Sequence, residues 1–382
     1  MACEVRILDR NLVPFGMISE FVSLVWEEQY NTIGSVQLVV NKTEDVIELL
    51  KVGRFLSIKE SRTLAYIHSV EDNGTELWIY AKEAKWLLSA RIHTEVIDVQ
   101  AANVETMILN VLSKSRLQSI IEVAPPKGLT GTADAEFKFP TVAEVCEKTC
   151  IAADYGWSCF FDKAKSKLVF EIYQGKEVIN IKFAERYGNL ADLNRILSYK
   201  DFKNVAYVIG EERTPGSSSG SGSGSGGGDS VSPIGTGYFV SVSAGERYSG
   251  TSSSSGSASG ASRVFVTVGE DESSNLDRWE LFIDASDIKQ GDMSDTQYGE
   301  ALKARALEEL ALRANVDSVE FSVVADVEEY GTEYTLGDWL TCVLPEYNVV
   351  MKSRITGVRF VWENNTKKLE LTMGTPMRRA SK

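Results

Sequence analysis

Few residues in this sequence have the types and spacing that chemistry needs. Gly216-Ser-Ser-Ser-Gly matches the Gly-x-Ser-x-Gly pattern. It would make Ser218 an acyl-transfer nucleophile if a strand preceded it and a helix followed. The match lies inside a Gly/Ser tract that generates such patterns by composition, so Ser218 is not expected to act. The chain has two histidines, His68 and His93, and neither has a partner at zinc-ligand spacing. Cys146, Cys150 and Cys159 lie close together. With so few histidines they read as core thiols rather than a metal or redox centre. Five cysteines, an odd number in a long chain, do not look like a disulfide framework.

The carboxylates give no stronger signal. Asp284, Asp287, Asp292 and Asp295 gather around Lys289-Gln-Gly. Asp292-Met-Ser-Asp-Thr does not follow the EF-hand calcium loop, so solvated turns are expected, with a weak cation site as the alternative. A glycosidase pair is defined by the distance between its carboxyl groups, and Glu144 and Asp154 offer no sequence basis for one. The phosphate-cradling Gly-x-x-x-x-Gly-Lys-Ser/Thr run is missing, and Gly226-Gly-Gly does not follow a strand that feeds a helix. No catalytic residue, cofactor or metal is expected, and the chain is not expected to be an enzyme.

The elements that would position any site are mostly strands. Glu4 to Leu8, Ile18 to Glu27 and Ser35 to Val40 alternate apolar and polar residues, the period of a half-buried strand. Thr43 is placed to cap a short helix whose first turn holds Glu44 and Asp45. Phe55 to Lys59, Leu64 to Glu71 and Glu76 to Ala81 continue the meander. Asp72-Asn-Gly-Thr supplies a hairpin turn, because Asn-Gly tolerates positive φ. Trp26, Tyr30, Tyr66, Trp78, Tyr80 and Trp86 interleave with Lys51, Arg54, Lys59, Arg62, Lys82 and Lys85. That pattern can make a stacking groove for single-stranded nucleic acid, but in so acidic a chain the cores and rims of a sheet with a solvated face are the expected reading. A formal net charge of -14 argues against a duplex-binding surface, which needs clustered cations.

Residues 103 to 118 read as a helix capped by Asn103. Thr141, with Glu144 three positions on, opens a second helix in a capping-box arrangement. Trp157 to Asp162 and Lys167 to Tyr173 form a hairpin. Leu190 to Ser198 is read as a strand with a bulge, and Val205 to Ile209 as a strand. Tyr238 to Ala244, Val264 to Val268 and Trp279 to Ala285 are expected to join Val205 to Ile209 in one sheet. The runs 215–230 and 249–262 are almost all Gly and Ser, cannot bury apolar area and read as flexible loops. From Ser294 onward a helical stripe of Leu302, Ala306 and Leu310 precedes strands at Val319 to Val324, Trp339 to Leu344, Val349 to Phe360 and Lys368 to Thr372. That stretch reads as one helix lying against a meander.

A chain of 382 residues with 43% hydrophobic content exceeds one core, so roughly two to four domains are expected. The expected fold is mixed α+β and β-rich: two small antiparallel barrel-like tube domains with an inserted α/β domain. Residues 1–100 would form the first barrel-like domain and 101–185 the insertion. Residues 186–382 would form the second barrel-like domain, with the Gly/Ser loops. No run of about 18 apolar residues is present, so no membrane insertion is expected. The start, Met1-Ala-Cys-Glu-Val-Arg-Ile, is already strand-like and lacks a signal peptide's apolar core.

The order of several short motifs resembles the tail hub proteins of siphophages and, through them, phage baseplate hub proteins. These are Val5-Arg-Ile-Leu-Asp-Arg, Asp9 to Glu28 followed by Gly34-Ser-Val-Gln-Leu, and Phe55-Leu-Ser-Ile. Leu168-Val-Phe-Glu-Ile-Tyr-Gln-Gly, Lys203-Asn-Val-Ala-Tyr-Val-Ile-Gly, Tyr334-Thr-Leu-Gly-Asp and Arg354-Ile-Thr-Gly-Val-Arg-Phe-Val-Trp complete the series. The resemblance implies a homotrimer whose subunits each give two tube domains to a pseudo-sixfold ring. Such a ring joins a distal tail or tail tube protein to a spike or fibre protein. DNA and tape-measure protein pass through its channel. It also implies synthesis in the bacterial host cytoplasm and residence at the distal end of a virion tail or baseplate, including those of prophages and related injection systems. It brings no catalytic residue. A tail-associated cell-wall hydrolase and a carbohydrate-binding receptor module are the alternatives. Within this frame Gly337-Asp338 is expected to be a turn that sets the strand Trp339 to Leu344.

Overall fold

Alternation of apolar and polar side chains carries the chain through its opening strands. These are β1 (Val5–Leu8), β2 (Pro14–Ile18), β3 (Ser23–Gln29) and β4 (Ser35–Asn41). In β3, Leu24, Trp26 and Glu28 are buried while their neighbours are half-exposed. The computed structural model describes residues 3–117, 120–211, 247–249, 262–269, 278–291, 293–313, 316–324, 330–345, 349–363 and 366–374. The chain divides into two units, Met1–Leu197 with Asp317–Lys382, and Ser198–Val316.

In the first unit, helix α1 (Glu44–Leu49) starts where Thr43 Oγ1 accepts from Val46 N at 3.2 Å. Strands β5 (Phe55–Ser57), β6 (Ala65–Asp72) and β7 (Glu76–Glu83) follow. The β6–β7 turn is closed by Gly74 N donating to Asp72 Oδ1 at 2.9 Å, with Gly74 at φ 88°, the Asn-Gly turn expected from the sequence. A 3₁₀ helix, Ala84–Ala90, then leaves the sheet.

An α/β layer comes next. It holds β8 (Ile97–Asn103), α2 (Val104–Lys114), β9 (Ile121–Val123), β10 (Thr132–Phe137), α3 (Val142–Ala153), β11 (Gly156–Asp162) and β12 (Lys167–Tyr173). Asn103 caps α2 by accepting from Thr106 N, and Thr141 caps α3 by accepting from Glu144 N. β8 pairs with β10, while β11, β12 and β9 make a three-stranded sheet. Ile108, Val145, Cys146, Cys150, Trp157 and Phe170 belong to the core of this layer. The chain then returns through β13 (Glu177–Phe183) and β14 (Leu190–Ser198).

The second unit contains β15 (Val205–Ile209), β16 (Arg247–Ser249), β17 (Ser262–Gly269), β18 (Glu280–Asp284) and α4 (Asp295–Ala311). Its sheet runs β16-β17-β15-β18, with β18 parallel to β15. Ser294 and Gln297 form a reciprocal capping box at the start of α4, which satisfies two otherwise orphaned N–H groups. Tyr298, Leu302 and Ala306 bury the helix against this sheet with Ala206, Val208, Val264 and Val266. The stretch read as one helix on a meander is therefore divided between the two units. The strand expected at Tyr238 to Ala244, nearly all of the two Gly/Ser runs and Ser218 lie outside the described residues.

The last strands return to the first unit: β19 (Val316–Val323), β20 (Trp339–Leu344), β21 (Val349–Glu363) and β22 (Thr366–Gly374). They overturn the expectation of two barrel-like domains. The first unit is built on a 13-stranded sheet whose main path is β14-β19-β22-β21-β3-β4-β7-β6-β5-β1-β2, with β20 and β13 branching from β21. Among the described residues this path is open, ending at β14 and β2. The physical reason lies in β21, fifteen residues long. Its first part pairs with β20, and from Gly357 onward it pairs with both β22 and β3. The edge of β3, which an N-terminal barrel would need for closure, is taken by a strand from the far end of the chain. At the other end β2 starts at Pro14, a residue without an N–H for a further ladder.

Candidate functional site

The alternation that buries one side of the sheet leaves a largely half-exposed surface on the other, in which Val39 and Val361 are buried. Trp26, Leu38, Ile79, Phe360 and Leu371 point to the core. Their neighbours form cross-strand rows on the opposite face. Glu370 of β22 pairs with Arg359 of β21, which pairs with Glu27 of β3. A second row runs Lys368, Val361, Val25, Gln37, Tyr80 through β22, β21, β3, β4 and β7. Arg359 Nη1 lies 2.9 Å from Glu370 Oε2. This face is broad and mixed in charge, the form of a contact or lining surface rather than a reaction centre.

Behind it, the α/β layer is tied to the last strands at one seam. Arg354 of β21 is buried, with its guanidinium carbon 4.8 Å from the ring centroids of both Tyr30 and Trp339. Its Nε donates to Asp154 Oδ1 at 2.9 Å, its Nη2 donates to Asp154 Oδ2, and its Nη1 donates to the Gly337 carbonyl at 2.5 Å. Asp154 caps α3 in the left-handed region at φ 56°. Tyr30 Oη donates to the carbonyls of Asp154 and Tyr173, each at 3.3 Å. Burial pushes the Tyr30 phenol up to about 12.

The Tyr334-Thr-Leu-Gly-Asp motif forms the opposite wall of this seam. Asp338 is buried; its Oδ2 accepts from Thr335 N at 2.9 Å and its Oδ1 from Lys176 N at 2.9 Å. The turn sets β20, as expected, since Trp339 N donates to Lys176 O at 2.9 Å. Gly337 sits at φ 95°, and a Cβ there would lie 2.3 Å from the Tyr30 ring. Only glycine satisfies both conditions. The motif is therefore a close-packed structural joint.

A second polar joint lies where the sheet and the α/β layer meet. Lys85, Glu83 and Glu28 are all buried. Lys85 Nζ donates to the Gln29 carbonyl at 2.5 Å and the Trp157 carbonyl at 3.3 Å, and lies 3.2 Å from Glu83 Oε2.

With this geometry in view, comparison with known proteins is specific. Residues 4–375 match the model of the family described as Siphovirus ReqiPepy6 Gp37-like protein. The chain belongs to that family. A search of curated proteins gives no match. Among solved structures, the fold resembles the tail protein from Neisseria meningitidis MC58 at 9% identity and a TM-score of 0.56, over 98% of this chain and 97% of that one. It resembles the prophage MuSo2 43 kDa tail protein from Shewanella oneidensis at 10% identity and 0.55, over 98% of each chain. It resembles the prophage tail protein gp18 from Listeria monocytogenes EGD-e at 12% identity and 0.50, over 98% of this chain and 95% of that one. At these identities the likeness is one of fold. It spans nearly the whole length of this Gp37-like chain.

The residues singled out for chemistry are dispersed in this family member. Cys146, Cys150 and Cys159 are free and buried, and burial pushes all three thiols up. They serve as core side chains. Among the described residues no group of three or more His, Cys, Asp or Glu side chains is arranged to hold a metal. Asp284 accepts from Ser286 N, Asp287 pairs with Arg305 at 3.3 Å, and Asp295 accepts from Gln290 at 2.8 Å; Asp292 lies outside the described residues. Glu144 pairs with Lys148, while Asp154 is bound to Arg354. Of the aromatics read as a groove, Trp26 and Tyr30 are core residues, Trp78 and Tyr80 lie on the half-exposed face, and Tyr66 stacks near Trp86. Sequence reasoning passed over Arg354, Glu28 and Glu83 as individual sites. A charged residue within an otherwise apolar alternation was the available signal for Glu28.

Proposed function

We infer that the chain is a structural hub of a phage tail or a tail-like injection apparatus. It would join a sixfold tail tube to a threefold tip, spike or fibre and line the channel between them. The observation that carries this reading is the open 13-stranded sheet drawn from both ends of the chain. Its β14 end leaves ladder groups for a neighbour to satisfy, and its outward face is a wide, largely half-exposed surface that no single side chain dominates. Membership of the Gp37-like family and a fold shared with tail proteins, two of them from prophages, support the same reading.

In this reading three copies form the ring, and each adds an arc of sheet to its wall. The neighbours along the tail axis are a distal tail or tail tube protein on one side and a spike or fibre protein on the other. DNA and tape-measure protein pass through, and the chain reaches the distal end of the virion after synthesis in the host cytoplasm. Face charges of both signs, such as Arg359 between Glu370 and Glu27, give a passing polyanion no contiguous cationic track to bind. The net charge of -14 acts in the same direction. Light scattering of the purified chain, alone and mixed with the tail tube protein of the same phage, tests the assembly. Trimer formation or a stoichiometric complex supports the reading. A chain that stays monomeric and binds neither tube nor tip protein contradicts it.

A further inference from the structure

Three buried charged side chains lie close to one another beside the boundary between the two cores of the first unit, with Lys85 in contact with Glu83 and Glu28 within reach of the Glu83 charge. Glu28 comes from β3, Glu83 closes β7, and Lys85 belongs to the 3₁₀ helix that carries the chain out of the sheet. That helix packs against α3 and β11. Lys85 holds both sides of the boundary. Its ammonium donates to Gln29 O at the end of β3 and to Trp157 O in β11, and it lies 5.0 Å from the centroid of the Trp157 ring. Glu83 faces Lys85 and also accepts from Gly34 N at 2.5 Å. Glu28 accepts from Trp26 Nε1 at 3.1 Å.

The charges do not balance: among the described residues, Lys85 is the one cation that interacts with the two buried carboxyl groups, and it lies against Glu83. An unmatched buried anion is costly, so the favoured state keeps a proton on one carboxyl. Glu28 is that carboxyl, because Lys85 and the Gly34 amide serve Glu83. Burial, reinforced by the Glu83 charge, pushes Glu28 up to about 7, against hydrogen bonds from Ser61 and Trp26 and the more distant Lys85. Burial also raises Glu83, with Lys85 and Gly34 N opposing. The other titratable groups facing the cluster stay neutral at these pH values. Burial raises the phenols of Tyr173 and Tyr330, and the two carboxylates raise them further. The Cys146, Cys150 and Cys159 thiols, which feel Lys85, are raised by burial.

We propose that Glu28, Glu83 and Lys85 form a proton-operated clamp between the large sheet and the α/β layer. It is closed while Glu28 carries its proton. It loosens when Glu28 ionises and two buried carboxylates repel each other at the start of the 3₁₀ helix. The direction follows from linkage. The folded chain holds the Glu28 proton more tightly than the unfolded chain does. The stabilisation is complete below the ordinary glutamate value of 4.5, is lost as pH rises, and is gone above about 7. This inference is independent of the hub reading.

The test is hydrogen exchange on the intact chain, followed at one amide that spans the boundary, Trp157 N, and one that is bonded to the Glu83 carboxylate, Gly34 N. Trp157 N donates to Tyr30 O at 3.2 Å, and Gly34 N donates to Glu83. After correction for intrinsic exchange, their opening constant is expected to rise by up to about tenfold per pH unit between roughly pH 5 and 7, then level off. In Glu28→Gln, which mimics the protonated carboxyl, the rise is expected to shrink to the smaller part that Glu83 contributes. An unchanged slope in Glu28→Gln overturns the clamp. Infrared spectroscopy of the unmutated chain decides the matter if the variant does not fold. A protonated-carboxyl band that titrates with a midpoint near 7 supports the proposal. A chain with every glutamate ionised by about pH 6 overturns it.

Discussion

Arg354 and Asp154, 200 positions apart in the chain, are joined by two parallel N–H···O bonds. The pair fastens β21 to the C-terminus of α3, so the last strands of the chain are locked to the α/β layer as well as to the sheet. Arg354 is buried while the Asp154 side chain is 55% exposed, and the two ends of the pair should respond differently to mutation. Arg354→Met keeps the packing between Tyr30 and Trp339 but removes the bonds to Asp154 and Gly337. It is expected to destabilise the chain by about 2–4 kcal/mol. Asp154→Asn leaves the shape and the left-handed cap and is expected to cost about 1 kcal/mol. Urea midpoints of the two variants check the ratio.

Gly337 and Gly331 both have positive φ, 95° and 92°. Only at Gly337 would a Cβ strike Tyr30; at Gly331 nothing lies within 4 Å. Gly331→Ala should therefore cost about 1 kcal/mol, the conformational term alone. Gly337→Ala should cost at least about 2 kcal/mol more, because the Tyr30 ring must move out of its contact with Arg354. Thermal unfolding of the two variants side by side isolates the steric part.

Tyr298 serves two backbone groups in the second unit, one buried and one half-buried. It donates to Ile288 O at 2.9 Å and accepts from Glu211 N at 2.7 Å. Tyr298→Phe leaves both without this partner and is expected to cost about 1–3 kcal/mol. Amide exchange should report faster opening in β15 and β17, the strands that α4 covers.

Arg359 offers the contrasting case. Its ion pair with Glu370 is exposed on the open face, where such pairs contribute at most about 1 kcal/mol. Arg359→Ala should leave the unfolding midpoint nearly unchanged. A large loss of stability would mean that this face is part of a core rather than a surface.

The elements of this fold were far easier to read in the sequence than their connections. Thr43, Asn103 and Thr141 announce the starts of three helices, because capping is local chemistry between residues three apart. Asn73-Gly74 announces the β6–β7 hairpin for the same reason. Strand β13 was missed, since its pairing with β20 is parallel and remote. The open sheet was missed because β3 and β21 meet across more than three hundred positions, and alternation says which side of a strand is buried but not which strand lies beside it. The resemblance to tail hubs rested on the order of short motifs, several of which turned out to be joints: Tyr334 to Asp338 and Arg354 close on each other across the seam. A carboxyl on the buried side of β3 marks Glu28 in the alternation, but its partners Glu83 and Lys85 come from elements that alternation does not place beside it.

The most direct test of the hub reading is electron cryomicroscopy of assembled tails from a phage that encodes this chain. The account predicts threefold-related copies at the distal end of the tail tube, with the sheet of β22, β21, β3, β4 and β7 facing the channel. Absence of the chain from the particle, or its presence only as isolated copies outside the tube axis, would contradict it.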